Sequence, residues 1–459
     1  MSPSPLTALA NLVSSSIQTL EAAYAKEGLV FPSLDEPFAP SPLDNDQVLA
    51  QTTRVLVAAA AQIIATVRPP MDTIQDYAPA MYMSATLGTA VDINLADILK
   101  NSGSQGMHIR DIVSQSGTDP NKTGRILRYL SSRHIFREVT PDVFTNNRVS
   151  SILTRAKSLA EIKKDPVGSF EGAGPAAFVG HVADEGLKSA AYISEYVREQ
   201  PAGIDAPFHL ALNEKGSIWD WYDKPGNDLR GRRFNSAMSG GGDMFPPSIF
   251  TKDVYWKHLT ENDVVVDVGG NVGTVTMLLV KAFPKPRYII QDIAKVIEDG
   301  KNYWNDKFPE ALADGRVKLQ AANFFEPQAV KGAAVYFMRL VLHDWNNVAC
   351  KKILTNLRAA ALPSTKLVLF EAIMPHACPG TGPYAYATRM GKEDPPYPLL
   401  ANLGVGGGFA TMIDMQMLAL MDGQTPTIEE WLDLFPTAGW KLDELHVDGP
   451  LAGFILSPA

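Results

Sequence analysis

Cysteine is nearly absent: Cys350 and Cys378 are the only two in 459 residues, too few for a disulfide framework or a cysteine-built zinc site. A reducing, cytoplasmic setting is therefore expected. Basic residues are also scarce, with 41 Lys and Arg against 50 Asp and Glu and a formal charge of −9. That balance disfavours nucleic acid or an anionic membrane surface as the main partner. Residues Met1–Tyr24 lack a basic segment followed by an apolar core and a small-residue cleavage site, so no secretion signal is read there. The longest apolar run, Val55–Val67, lies between Arg54 and Arg68 and is too short to cross a bilayer. It is expected to be a buried helix, and no membrane partner is expected.

The composition is otherwise that of a globular protein, 46% apolar and 20% charged, and the length suits two or three cores. Residues 5–26 carry Leu6, Leu9, Leu12, Val13, Ile17, Leu20 and Tyr24 at helical spacing, and the proline-rich Phe31–Pro42 stretch ends that helix. Ile109–Ser116 reads as a short helix. Asp119-Pro120 supplies an N-cap and first-turn proline for a second, reaching Ser132. Ile135–Val139 and Val143–Thr145 flank Thr140-Pro141-Asp142 as a hairpin, which completes a winged-helix pattern. Lys122, Arg125, Arg128 and Arg133 raise the question of DNA reading, but on so acidic a chain they are read as a solvated face. From Leu187 to Gly240 mostly helix is expected, with an aromatic break at Trp219, Trp221 and Tyr222.

Past Val254 the pattern changes. Val264–Val268, Tyr288–Gln291, Val317–Ala321, Ala334–Met338 and Lys366–Glu371 are short apolar runs separated by helical stretches, the signature of a parallel sheet covered on both faces. Lys441–Val447 and Gly453–Leu456 add a hairpin at its edge. The first of these strands runs into Asp267-Val268-Gly269-Gly270-Asn271-Val272-Gly273. Glycines let the backbone approach a ligand closely, and a helix start offers N–H groups to its negative end. The spacing is Asp-x-Gly-x-x-x-Gly rather than the Gly-x-Gly-x-x-Gly of dinucleotide sites, the pattern of class I S-adenosylmethionine (SAM)-dependent methyltransferases. Asp292 closes the next strand, placed to accept hydrogen bonds from two ribose hydroxyls. His343 follows the fourth parallel strand, at the carboxyl edge where such sheets bind ligands. A neutral imidazole there can take a proton from a hydroxyl as it becomes a nucleophile. Glu371, ending the next strand, is in position to hold the other ring nitrogen.

Together these motifs resemble the plant caffeate-type O-methyltransferase family, and more closely its fungal natural-product branch, over nearly the whole chain. The resemblance implies a SAM-dependent O-methyltransferase that acts on a small molecule as a homodimer. Its fold would be a Rossmann-like seven-stranded α/β sheet with one antiparallel edge strand, preceded by a helical and winged-helix dimerisation domain. Residues 1–165 would form the dimerisation domain. Residues 166–459 would form a helical linker and the catalytic domain, with the sheet from about 255. By resemblance, Gly269, Gly270 and Gly273 form the cofactor turn, Asp292 holds the ribose, and Asn323-Phe324 stands where the family has Asp-Met or Asp-Phe beside the adenine. Arg339 replaces a common lysine, His343 matches the general base beside Asp344, and Glu371 matches its first acidic partner. Met238, Met417 and Met421 match acceptor-pocket positions, although a methionine stripe is more often core than substrate box. One departure stands out: Gly423-Gln424-Thr425-Pro426-Thr427 replaces Gly-x-Glu-Arg-Thr, so the second acidic partner of the histidine is missing. Two activities fit. One is methyl transfer to a phenolic or enolic hydroxyl of a polyketide-like fungal secondary metabolite. The other is a pericyclase or dehydratase that keeps SAM bound without transferring its methyl group.

Overall fold

The Asp119 carboxylate accepts from Lys122 N at 2.9 Å and Pro120 occupies the first turn, so the chain enters a helix, Pro120–Ser131, with its end already satisfied. With the Ile109–Ser116 helix it buries Ile112, Leu127 and Leu130 in one core with Phe136 and Phe144. Three antiparallel strands complete the winged helix: β1 (Met107–His108), β2 (Arg137–Thr140) and β3 (Val143–Thr145), in the order β1-β3-β2. The two-residue β1 carries no periodicity and is not legible in the sequence. Arg128 is tied to Asp142 and Arg133 to Asp76, each at 2.7 Å.

The computed structural model describes residues 3–199, 203–241, 246–388, 394–447 and 451–459. It divides into two compact units, Met1–Met244 and Phe245–Ala459. The segment expected to link the domains packs within the first unit, because Ala176, Ala177 and Ala237 share a core with Leu95, Leu127 and Phe144. Glu185, fully buried in a π-turn, anchors this packing. It accepts from Tyr222 Oη at 3.0 Å and Arg233 Nη2 at 2.6 Å, and its other contact is His181 Nδ1 at 2.9 Å. The expected aromatic break is itself a helix, Ile218–Tyr222, because Ser217 and Asp220 form a capping box around its start. The breaks fall on either side of it.

The expectation of a buried Val55–Val67 helix is corrected. The helix runs Gln47–Val67 and packs on Pro5–Lys26, yet only Leu49, Ala58 and Ala59 are buried. Val57, Ile64 and Val67 remain 41%, 51% and 60% exposed. Its 21 residues are long and apolar enough to cross a membrane by length and composition, the one such helix among the described residues.

In the second unit the apolar runs become β4 (Val264–Val268), β5 (Arg287–Asp292), β6 (Val317–Ala321), β7 (Val335–Arg339) and β8 (Lys366–Glu371). β9 (Trp440–Val447) and β10 (Ala452–Pro458) follow. The sheet order is β6-β5-β4-β7-β8-β10-β9. β4 to β8 pair in parallel, and β10 is antiparallel to both β8 and β9. The antiparallel strand is therefore next to the edge, and the edge strand β9 runs with the rest. Helices cover both faces, with Val266, Met338 and Leu369 in one core and Val265, Phe337 and Phe370 in the other. Alternate residues of each strand feed opposite cores. The carboxyl ends of β4, β5, β7 and β8 thus converge, and the chemistry-bearing residues follow them.

Candidate active site

β4 ends in the glycine turn and the Thr274–Ala282 helix follows. Gly273 has φ of +82°, and a Cβ there would meet Ile290 Cδ1 at 2.5 Å and Trp304 Nε1 at 2.8 Å, so only glycine fits. The N–H groups of Gly269 and Gly270 both donate to Gln291 O, at 2.9 and 3.0 Å. They lock the turn to β5. No side chain caps the helix that follows.

Asp292, at the end of β5, is bound into the same turn. Its Oδ2 accepts from Asn271 N and its Oδ1 from Ile293 N, both at 2.8 Å. Burial pushes its carboxyl above the usual range, against those two donors. Each oxygen keeps a second lone pair, so the carboxylate can still accept from a pair of hydroxyls. Beside it a cavity of about 200 Å³ is lined by Val268, Gly269, Gln291, Asn323, Phe324 and Gln328, among others. Asn323 Oδ1 accepts from Phe325 N at 2.9 Å, which orients its amide at the cavity wall. Phe324 packs edge-on to Phe325 and Trp345, with ring centroids 5.0 and 5.8 Å apart. A small apolar wall, an amide and an anchored carboxylate along one cleft suit an adenosine, and the residues fit SAM.

On the other side of β4, Leu340 takes φ of +49° and turns the chain sharply after β7. His343 and Asp344 follow in a 3₁₀ turn, with His343 Nε2 and Asp344 Oδ1 3.2 Å apart. Burial first, then the Arg339 guanidinium, hold the imidazole down at about 4, so the ring is neutral at physiological pH. Burial and Glu371 push Asp344 well up. Glu371, fully buried at the end of β8, is pushed up to about 7 by burial.

Glu371 does not hold the histidine's other nitrogen. Its Oε1 accepts from Val341 N at 3.0 Å and Leu342 N at 2.8 Å, and neither its Oε2 nor His343 Nδ1 has a hydrogen-bond partner. The carboxylate satisfies the backbone of the turn that carries His343, because the reversal at Leu340 leaves those N–H groups outside the sheet ladder. Arg339 ends β7, largely desolvated, where its charge acts on Asp267 and Glu371.

Three further residues are given no role of their own by the sequence reading. Asp267 is buried at the end of β4, accepts from Thr276 Oγ1 and is pushed up to about 6; its place in the Asp-x-Gly motif is the signal that could have found it. Cys350 Sγ donates toward Leu342 O at 3.1 Å and Trp345 O at 3.3 Å, bracketing the histidine turn. Gly423 lies so close to that turn that a Cβ would sit 2.3 Å from His343 O. Thr425, two residues on, is buried; its N–H donates to Asp414 Oδ1 at 2.7 Å and its hydroxyl has no partner. Met417 and Met421 are half-buried on the Phe409–Met421 helix, which touches the histidine turn. Met238 is on the Asp228–Gly241 helix of the first unit, with its side chain exposed.

A seven-stranded sheet of this order, with an acidic residue closing β5 and a glycine turn after β4, defines a methyltransferase-type α/β domain. Comparison with known proteins makes the assignment specific. Residues 232–389 match the model of the O-methyltransferase domain, and residues 75–156 that of the O-methyltransferase dimerisation domain. An O-methyltransferase of Armillaria gallica is 36% identical over 99% of both chains. Sterigmatocystin 8-O-methyltransferase of Aspergillus parasiticus is 28% identical over 84% of this chain and 81% of its own. Among solved structures, LepI in complex with SAM superposes with a TM-score of 0.66 at 17% identity, over 97% of this chain and 99% of that one, a likeness of fold. The chain belongs to the O-methyltransferase family, and is a SAM-dependent enzyme with an N-terminal dimerisation domain.

Proposed function

We propose that the enzyme moves the methyl group of SAM to a phenolic or enolic hydroxyl of a polyketide-like fungal secondary metabolite, and does so as a homodimer. The observation that carries this is His343, buried and neutral at the carboxyl end of β7, two strands from Asp292 at the end of β5. Bound SAM brings a sulfonium whose methyl group is already electrophilic. The chain's own task is to align the acceptor and remove one proton. Asp292 would accept the ribose hydroxyls, Phe324 and Asn323 would hold the adenine, and Gly269, Gly270 and Gly273 shape the turn. The His343–Asp344 pair receives the acceptor's proton, and Glu371 holds the turn on which that pair rides. Met417 and Met421, half-buried on the helix that touches the histidine turn, would give the acceptor an apolar, adaptable wall. The fungal relative named as a sterigmatocystin 8-O-methyltransferase supports a secondary-metabolite hydroxyl as acceptor.

The dimer reading is supported by the matched dimerisation domain and by the uncovered apolar face of Gln47–Val67. We assign that face to a second copy rather than to a membrane. Two free thiols, Cys350 and Cys378, support a reducing, cytoplasmic setting.

A second reading, catalysis of a pericyclic or dehydrative step with SAM retained, is favoured by one observation. Thr425 places a neutral hydroxyl where the family resemblance expects a carboxylate. Incubation with methyl-labelled SAM and aromatic polyketide acceptors separates the two. Label in the product supports transfer, whereas a changed product without label supports the second reading. Asp292→Ala is expected to weaken SAM binding about ten- to a hundredfold by calorimetry, the loss of one or two charge-assisted hydrogen bonds. Unchanged affinity removes Asp292 from the site.

A further inference from the structure

The loop that carries Asn323 and Phe324 joins β6 to β7, and its far limb is held by side chains. Among the described residues, 327–331 make no backbone–backbone hydrogen bond. Their ties are the Tyr336 hydroxyl, which donates to Val330 O at 2.5 Å, and the Gln328 amide. Gln328 is buried, and its Oε1 accepts from Val330 N at 2.9 Å and from Gln291 Nε2 at 2.8 Å. Its Nε2 donates back to Gln291 Oε1, also at 2.8 Å. A backbone N–H can only donate, so Val330 fixes which end of the Gln328 amide is oxygen, and that orients Gln291 in turn. Gln291 is buried on β5 beside Gln320 of β6, whose Oε1 accepts from the same Nε2 at 3.0 Å. Its main chain is engaged as well, since its carbonyl receives Gly269 N and Gly270 N from the glycine turn. One residue, immediately before Asp292, therefore holds the glycine turn through its backbone and the Asn323 loop through its side chain. Both glutamines line the cavity beside Asn323 and Phe324.

We propose that the Gln291–Gln328 amide pair is the positioning device for the adenosine end of SAM: it fixes the spacing between the glycine turn on one wall of the cleft and the Asn323–Phe324 turn on the other. This rests on adenosine lying beside Asp292, Asn323 and Phe324, and not on the fate of the methyl group. Two apolar side chains of the same volume would fill the space as well, because exchanging both partners of a buried hydrogen bond for apolar groups is close to neutral for stability. What apolar contact does not supply is direction. Reciprocal hydrogen bonds set both the separation and the angle of the segments they join. A limb with no backbone ladder of its own needs that constraint if the cleft is to keep one width before the ligand arrives. A cleft already at its bound width spares the loss of loop freedom that would otherwise oppose binding. Neither glutamine has to touch the ligand. Gln291 acts through the glycine turn, and Gln328 acts through Val330 and the loop that leads back to Asn323.

Calorimetry on the full-length enzyme tests this with two ligands: S-adenosylhomocysteine, and 5′-methylthioadenosine, which keeps the adenosine and lacks the amino-acid end. Gln328→Met and Gln291→Met preserve side-chain length and remove the hydrogen bonds. Each is expected to weaken both ligands by the same factor, about tenfold, the scale of one lost buried hydrogen-bonded contact. Each also leaves the other amide without its partner, so the melting temperature of the ligand-free enzyme should fall. The double variant leaves neither amide behind and should recover most of that melting temperature, while its affinity stays as low as that of the weaker single variant. This split separates positioning from packing. Affinity within about twofold of native in either single variant overturns the proposal, since that is the scatter of independent effects. A loss confined to S-adenosylhomocysteine overturns it too, as does affinity that returns with the melting temperature in the double variant. Should the methionine variants not fold, Gln328→Asn keeps the amide and draws it back by one methylene. An equal loss for both ligands is then expected, and unchanged affinity overturns the proposal. Asp292→Ala checks the placement of adenosine separately. Unchanged affinity there removes the ground on which the amide pair stands, whereas weakened binding there beside native-like glutamine variants overturns the amide pair alone.

Discussion

At the scale of single residues, the site is defined as much by unsatisfied atoms as by bonds. His343 Nδ1, Glu371 Oε2 and Thr425 Oγ1 are buried without partners, which is costly unless a ligand or ordered water meets them. The titration of His343 has a direct consequence for rate. Its folded pKa lies below the ordinary histidine value, so the ring stays neutral as pH falls from 8 through 6.5 and gains its proton only near 4. kcat/KM measured with an acceptor whose own ionisation lies outside that window is therefore expected to show no acid limb near 6.5. An inflection there would place the working base in an ordinary solvated setting. His343→Gln should lower kcat about a hundred- to ten-thousandfold while SAM affinity, read by calorimetry, stays within about twofold. The sequence made Asp292 visible because it ends a parallel strand, and His343 because it follows one at the carboxyl edge where such sheets bind ligands. It could not reveal that Glu371 bonds the Val341 and Leu342 amides, since that follows from the left-handed turn at Leu340, a conformation no leucine announces.

Among elements, the turn Leu340–Trp345 is gripped from three directions. Glu371 takes its N–H groups, Cys350 its carbonyls, and Gly423 presses on its backbone. Gly423→Ala must move that loop or the turn, because no Cβ fits 2.3 Å from a carbonyl oxygen. We expect a fall in kcat of tenfold or more, in line with the sensitivity of aligned groups to small displacements, with SAM affinity nearly unchanged because Asp292 sits on a different strand. Full activity in Gly423→Ala would show that the turn's position is not what limits the reaction. The central strands were legible almost to the residue, since β4, β7 and β8 are nearly continuous apolar runs buried on both faces. The helices between 187 and 240 were not. They are four to fourteen residues long, and their ends are set by capping boxes and by the Glu185–Arg233 contact rather than by periodicity. The position of β10 was equally hidden, because apolar alternation fixes neither strand order nor direction.

For the molecule as a whole, the decisive feature is the uncovered apolar face of Gln47–Val67. Apolar periodicity marks a helix face for burial but does not say which chain buries it, and this is why the sequence suggested a buried helix where one chain leaves it open. Ile64→Glu together with Val57→Glu should convert a dimer, seen by light scattering at twice the 49.8 kDa of one chain, into a monomer. A dimer that persists in the double variant would locate the interface elsewhere. If the second copy covers this face, subunit concentration becomes a stability variable. Each tenfold dilution then removes about 1.4 kcal/mol from the apparent free energy of the assembled state. Melting temperatures recorded at assay concentrations should fall below those recorded at calorimetric ones, and an enzyme that is durable when concentrated will lose activity on simple dilution.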